Sequence, residues 1–454
     1  MRVTVIGAGY VGLVTGTCLA ETGHDVRCVD NNPAKIEALQ RGNVPIYEPG
    51  LDKLIQTNVA ANRLQFTSIL SEALEQTDIV FIGVGTPTNP ENGHADLRYV
   101  FAAAEEIAKN LNHAAIIVVK STVPVGTGKK VAAIFASHCK YSCPIVSNPE
   151  FLREGSAIPD FMEPDRIVVG TDSPQAREAM QQLYRPFEDR GFPVIFMDKP
   201  ESAELAKYAC NAYLAMRISF VNEVSDMCEK MDANVRDVTR AMGLDKRIGP
   251  YFLKPGPGFG GSCFPKDTLA LKQVADAVAS PSEMVKAAIL SNESRKKRMA
   301  HKIIQACHGD IKGKTIAILG LTFKADTNDM RESPSLVIVP ELLKHGAVLK
   351  LYDPQGMTEA KALLTDKNLE WCDSAYEAMQ GSDASVILTE WKEFAALDFT
   401  KARSAVNMPL IVDLRSILPE PQVKQAGFRY ITLGKKEAIE TNETDLVKKA
   451  SPAG

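Results

Sequence analysis

Residues 3–30 constrain the fold of this chain more than any other stretch. An apolar, β-branched run at 3–6 leads into Gly7-Ala8-Gly9-Tyr10-Val11-Gly12 and then into LVTGTCLAETG, whose apolar spacing is helical and which stops at Gly23. A second short strand, DVRCVD, ends on Asp30. Strand, glycine turn, helix, strand and terminal acid make a βαβ unit carrying the G-x-G-x-x-G pattern. Gly7 lets the chain turn sharply, Gly9 lets backbone N–H groups approach a pyrophosphate, and Gly12 lets the helix pack closely on the sheet with its N-terminus facing the anion. Asp30 suits ribose hydroxyls. No arginine follows it directly, and a carboxylate there repels a 2′-phosphate, so the expected dinucleotide is NAD rather than NADP.

Four further buried-strand patterns follow, DIVFIGVGTPT, AAIIVVKSTVPVGT, CPIVSNPEFLREG and DRIVVG. In an open parallel sheet, ligands sit at the carboxyl ends of strands, where Thr86, Ser121, Thr122, Asn148 and Glu150 fall. Residues 201–231 then read as one long helix, apolar around much of its circumference, which suggests burial against both the chain and a partner subunit. On it Lys207 and Asn211 lie four apart, on one face. A second α/β pattern restarts at GKTIAILGLTFKADTNDMRES and continues through VLKLYDP, ASVILTE and LIVDLR without the full glycine fingerprint. A chain of 454 residues exceeds a single core. The expected fold class is α/β, with two Rossmann-like doubly wound parallel-sheet domains joined by a long central helix. The boundaries expected are 1–198 for an NAD-binding domain, 199–298 for a helical domain with the cysteine loop, and 299–454 for a second nucleotide-binding domain ending in a polar, frayed tail from Lys435. Two α/β domains around a helical connector suggest a cleft with one nucleotide on each side.

A net charge of −4 gives no pull towards nucleic acid or an anionic membrane. The basic run Arg295–Arg298 reads as a solvated helix face. The strand-like start and the lack of a membrane-length apolar run point to a cytoplasmic protein. Nine cysteines, an odd number in a long chain, argue against a disulfide framework and for thiols that are mostly small core residues. HCKYSC, residues 138–143, has no second ligand pair at finger spacing, so no metal is expected.

One thiol stands apart. In KPGPGFGGSCFPKD, Cys263 follows a glycine-rich approach, and Pro265 suits the first turn of a helix. The cysteine is thereby placed at a helix N-terminus, where the dipole favours thiolate. Asp267 lies one turn on.

These segments resemble the UDP-glucose/GDP-mannose dehydrogenase family: VIGAGYVGLVTG, KSTVPVGT, NPEFLREGSA, ELAKYACNAYLAMRISFVNE, GPGFGGSCFPKD and GLTFKADTNDMRES, six motifs in order over nearly the whole chain. The resemblance implies oxidation of a sugar C6 alcohol to the carboxylate with two NAD per turnover. It gives Cys263 the part of nucleophile, Lys207 that of oxyanion stabiliser and Asn211 that of sugar holder. Asp267 takes part in proton transfer, and Glu150 activates the hydrolytic water near Thr122. The dinucleotide side it implies comprises, beyond the fingerprint, Asp30, Lys35, Thr86, Thr122, Glu154 and Arg331. The nucleotide-sugar side comprises Phe151, Leu152, Arg153, Glu154, Arg247, the loop of Phe252, Leu253, Lys254, Phe259 and Gly260, and Lys324, with Arg415 a weaker correspondence. Arg247 is implied to reach the neighbouring site of a homodimer. The match favours UDP-glucose as substrate. GDP-mannose stays open, while the N-acetylmannosamine branch tends to carry a histidine where Ser262 stands. A non-catalytic NAD-binding protein is the rival class, and the presence together of Cys263, Lys207, Asp267 and Glu150 weighs against it.

Overall fold

The computed structural model describes residues 1–89 and 93–437; from residue 438 the polar C-terminal stretch lies outside them. The chain divides into two compact units. The first holds residues 1–216, 260–289 and 324–331, and the second 217–259, 290–323 and 332–454.

The first unit carries strands β1 (Arg2–Ile6), β2 (Asp25–Val29), β3 (Leu64–Thr67), β4 (Ile79–Ile82), β5 (Ile116–Val119), β6 (Ile145–Ser147), β7 (Ile167–Gly170) and β8 (Val194–Met197). They form one sheet in the order β3-β2-β1-β4-β5-β6-β7-β8. All neighbours are parallel except β6 and β7, which meet antiparallel at Ser147 and Gly170. Alternate residues feed two apolar layers: Ile79, Phe81 and Val118 pack with the helix Tyr10–Glu21, and Val80, Ile82, Ile117 and Val119 with the helix Arg98–Asn110. Both faces are thus covered, which explains why the central strands are continuous apolar runs.

The second unit carries β9 (Thr315–Leu319), β10 (Val348–Tyr352), β11 (Leu369–Trp371), β12 (Ala384–Ile387), β13 (Leu410–Asp413) and β14 (Arg429–Thr432), all parallel, in the order β11-β10-β9-β12-β13-β14. The long helix runs from Pro200 to Met231, and the boundary between units falls within it at residues 216 and 217.

The basic run departs from its sequence reading in half of its residues: Lys297 and Arg298 are exposed, as a solvated face requires, but the other two are not. Arg295 and Lys296 are each 1% exposed. Arg295 is paired with Asp226 and Lys296 with Glu293, so this helix turns cations inward onto polar partners. Of the nine free cysteines, Cys18, Cys28, Cys228, Cys307 and Cys372 are buried.

Candidate active site

The fingerprint forms as its spacing requires. Gly7 has φ +99°, a Cβ on Gly12 would run into the Gly7 carbonyl oxygen, and the position of a Cβ on Gly9 has no atom within 4 Å. The helix starting at Tyr10 has no side-chain cap at Gly9, so its first N–H groups stand open beside that space. A pyrophosphate fits this cradle. Asp30, at the end of β2, accepts from the Ala8 N–H (2.9 Å), the Asn32 N–H (3.0 Å) and Lys35 Nζ (2.8 Å). Burial works to raise its pKa, but these donors outweigh it and hold the carboxyl below its ordinary value. Asp30 is buried and therefore shapes the glycine loop from the strand end. Val11 lies within the same turn. Tyr10 donates its hydroxyl to Glu48, a buried carboxylate that also accepts from the Gly155 N–H (2.7 Å) and the Ala157 N–H (2.7 Å). Sequence reasoning missed Glu48, because it stands 107 residues from Gly155.

Cys263 is the N-cap of the helix Phe264–Ala277. Its approach is held by the Gly261 N–H on the Arg331 carbonyl (2.8 Å), and Asp267 N–H bonds back to the Cys263 carbonyl (2.8 Å). The Asp267 carboxylate is 1% exposed and takes Asn211 Nδ2 at 2.6 Å and Lys266 Nζ at 2.7 Å. Lys207, one turn before Asn211, reaches Glu150 Oε1 at 3.3 Å, while Glu150 Oε2 accepts the Leu152 N–H at 2.5 Å. Cys263, Lys207, Asn211, Asp267 and Glu150 therefore form one largely buried cluster, all within the first unit.

The electrostatics differ from a simple helix-dipole picture. Burial, helped by Glu150 and Asp267, pushes the Cys263 thiol up, against the opposing pull of Lys207 and the Ser262 hydroxyl. At rest the neutral thiol is favoured, because desolvation and two carboxylates outweigh Lys207 and the Ser262 hydroxyl. For Lys207 burial acts downward, but Glu150, Cys263 and Asp267 outweigh it and keep the ammonium protonated. A fixed cation thus stands beside the thiol.

Thr122 lines a small recess with Ser121, Glu204 and Lys207, and its carbonyl accepts from Thr86 Oγ1 at 3.0 Å. Glu204, also missed from sequence, receives the Gly126 and Gly128 N–H groups at 2.6 and 2.8 Å, tying the long helix to the start of the helix Thr127–His138. Glu154 receives Ser262 Oγ (2.9 Å), Arg331 Nη2 (3.1 Å) and Thr327 Oγ1 (3.4 Å), and burial with Asp329 nearby lifts it to about 7. Phe151 lies under the Arg166 guanidinium (3.7 Å to the ring centre) and near Lys207 Nζ (5.1 Å). Arg153 pairs with Asp160. Asn148 has partners not expected from sequence: Lys120, buried and within the field of Glu150, donates to Asn148 Oδ1 at 3.0 Å, and Tyr184 donates to the same oxygen at 2.5 Å. Burial lowers the Lys120 ammonium to about 8.

Lys324 belongs to the first unit and is half-buried, whereas Arg247, Phe252, Leu253, Lys254 and Phe259 belong to the second. Arg247 is an exposed side chain paired with Asp245. Leu253 and Phe259 are buried, Phe252 has φ +59°, and Gly260 begins the return to the first unit.

Three matches run along the chain in order. Residues 1–188 match the UDP-glucose/GDP-mannose dehydrogenase family NAD binding domain, 201–294 its central domain and 317–420 its UDP binding domain. The chain belongs to the UDP-glucose/GDP-mannose dehydrogenase family. Among its relatives, a UDP-glucose 6-dehydrogenase of Rhizobium meliloti is 51% identical over 440 residues, covering 96% of this chain and 100% of the relative. UDP-glucose 6-dehydrogenase TuaD of Bacillus subtilis is 45% identical over 446 residues, covering 98% and 95%. The solved UDP-glucose dehydrogenase of the archaeon Pyrobaculum islandicum superposes with a TM-score of 0.86 at 37% identity, over 94% of this chain and 96% of that one. In this family member the open glycine cradle lies in the segment matched to the NAD binding domain. No helix among the described residues is long and apolar enough to cross a membrane.

Proposed function

We propose that this chain is a UDP-glucose 6-dehydrogenase that oxidises the C6 alcohol of UDP-glucose to the carboxylate, with two NAD per turnover. The observation that carries the reading is the buried cluster of Cys263, Lys207, Asn211, Asp267 and Glu150 at the start of one helix. Gly7, Gly9, Val11 and Gly12 hold NAD through backbone and close packing, with Asp30 on the ribose and Tyr10, Lys35, Thr86, Glu154 and Arg331 around it. When bound, NAD supplies the hydride acceptor for both oxidations.

The chain's own residues do the rest. Asn211 holds the sugar, and Asp267 takes up the C6 hydroxyl proton through Lys207 or a water. Hydride removal from an aldehyde needs a tetrahedral oxyanion first, and a thiol addition makes one. Cys263 Sγ bonds to the aldehyde carbon, its proton passes to Asp267 once the first proton has left to water, and the oxygen faces the Lys207 ammonium. The second oxidation leaves a thioester. Glu150 takes a proton from a water near Thr122, which attacks the acyl carbon; the C–S bond breaks and the thiol is restored.

The same reading assigns residues 1–198, 199–298 and 299–454 to NAD binding, assembly with the cysteine loop, and UDP-sugar binding. It gives Phe151, Leu152, Arg153, Lys324 and residues 252–260 contact with the nucleotide sugar. The protein acts as a cytoplasmic homodimer. Tyr213, Phe220, Met227 and Met231, all more than half exposed, recur along the long helix, and Leu244 and Tyr251 add apolar surface around Arg247. A second copy covering that face would bring Arg247 to the neighbouring site, which sedimentation of wild type and Phe220→Glu tests.

The function itself is tested by NADH formation from UDP-glucose, GDP-mannose and UDP-N-acetylmannosamine. UDP-glucose alone is expected to support turnover, with two NADH per carboxylate formed, and Cys263→Ala is expected to fold yet make almost no acid from UDP-glucose or its aldehyde. No NADH from any sugar nucleotide would leave a non-catalytic NAD-binding protein as the better reading.

A further inference from the structure

The segment 254–260, Lys-Pro-Gly-Pro-Gly-Phe-Gly, contains three glycines and two prolines. Such a stretch has few side chains to stabilise a shape, and glycine loses more conformational freedom on ordering than any other residue. Its backbone is gripped instead by three side chains from two helices. Asn222, on the long helix, accepts the Gly256 N–H through Oδ1 at 2.8 Å. Arg295, on the helix Glu283–Ala306, donates from Nε to the Gly256 carbonyl at 3.0 Å. Asn292, one turn earlier on that helix, takes both polar groups of Phe259: Oδ1 accepts the N–H at 2.8 Å and Nδ2 donates to the carbonyl at 3.0 Å. The grip is cross-braced, because Arg295 Nη1 also pairs with Asp226 and reaches the Asn222 carbonyl at 3.4 Å.

All three side chains are at most 2% exposed. The fit is close. Gly258 has φ +125°, and a Cβ there would come to 3.1 Å from both Asn292 Oδ1 and Lys296 Cγ; a Cβ on Gly256 would come to 3.3 Å from Arg415 Nη1. Every one of these groups lies in the second unit. Residues 256–260 are themselves buried, so their amides cannot turn to water and must be taken by protein groups. Here four backbone groups of a seven-residue stretch are taken by buried side chains on rigid helices, which is how a binding loop is ordered in advance of its ligand.

We propose that Asn222, Asn292 and Arg295 are positioning residues that preset residues 254–260 to receive the nucleotide sugar. The proposal rests on the UDP-glucose 6-dehydrogenase reading and deepens it: affinity for the sugar nucleotide is set partly by side chains that never touch it. The sequence hid this, because Arg295 stands in what reads as a solvated basic run.

The test uses the full chain and measures KM for UDP-glucose and for NAD separately, with calorimetric binding of UDP-glucose and a thermal unfolding scan. Asn222→Leu, similar in shape, leaves the Gly256 N–H without its acceptor, and KM for UDP-glucose should rise about tenfold or more while KM for NAD stays within about twofold. Asn222→Asp keeps the accepting oxygen, and since Asn222 Nδ2 has no acceptor among the described residues, this variant should recover most of the affinity. Asn292→Asp, which keeps the bond to the Phe259 N–H but sets an acceptor against its carbonyl, gives the same selective rise should Asn222→Leu fail to fold. The proposal is overturned by equal KM values in folded variants and wild type, by both KM values rising together, or by Asn222→Asp being as impaired as Asn222→Leu. A wild type that forms no NADH from UDP-glucose overturns the functional reading itself, and the positioning role with it.

Discussion

Replacing Asp267 with asparagine separates the charge of the catalytic cluster from its shape. The carboxylate is 1% exposed, accepts from Lys266 on one oxygen and Asn211 on the other, and is one of the groups holding the Cys263 thiol up. Residues four apart on a helix stand about 6 Å apart. At an effective dielectric of about 20, a unit charge at that range acts with about 3 kcal/mol. Asp267 is one of the charges that raise the thiol, so Asp267→Asn should lower the apparent thiol pKa and move its alkylation profile to lower pH. It should also destabilise the fold by about 1–3 kcal/mol, because an amide can accept from only one of the two donors. The expected outcome is a more reactive thiol in a slower enzyme. Alkylation of Cys263 by iodoacetamide, followed across pH on its proteolytic peptide, reads the thiol; NADH formation reads turnover. A folded variant whose alkylation profile stays in place, or moves to higher pH, would refute the assignment of Asp267 as a charge acting on Cys263.

Asp30→Arg removes the acceptor for the Ala8 and Asn32 N–H groups and for Lys35, so KM for NAD should rise about tenfold or more; NADP should suffer less, shifting the ratio of the two kcat/KM values, and an unmoved ratio counts against Asp30 as the ribose ligand. Glu150→Gln should slow hydrolysis more than oxidation, so that a covalent adduct accumulates on Cys263 and appears as added mass on the intact protein; slow turnover with no adduct would place Glu150 earlier in the reaction. Lys120 supplies a pH test of stability. Its folded pKa of about 8 lies below the ordinary lysine value, so between the two the unfolded chain binds the extra proton and the native state gains stability as pH rises. Relative to Lys120→Met, wild type should therefore gain about 3 kcal/mol between pH 7 and pH 10.5 in denaturant titrations, and a constant difference would contradict a desolvated Lys120.

What the sequence alone determined is what depends on near neighbours. The glycine turn needs particular residues at particular spacing, the central strands β1, β2, β4 to β7, β9, β10, β12 and β13 announce themselves as apolar runs, and Pro265 marks the helix that Cys263 caps. The four strands absent from that reading, β3, β8, β11 and β14, are the four sheet edges. An edge strand has one unpaired side, and β3, β8 and β11 are only partly buried, so their apolar signal is short and broken. The resemblance of the motifs to a known family named Cys263, Lys207, Asn211, Asp267 and Glu150, but not their mutual effects. Tertiary structure decided the rest: that Arg295 and Lys296 turn inward, that Glu48 gathers Tyr10 with Gly155, that Lys120 meets Asn148 and Tyr184, and that the thiol at a helix N-terminus is nonetheless held up. Each depends on desolvation and on partners tens to hundreds of residues away, and neither quantity exists until the chain has folded around them.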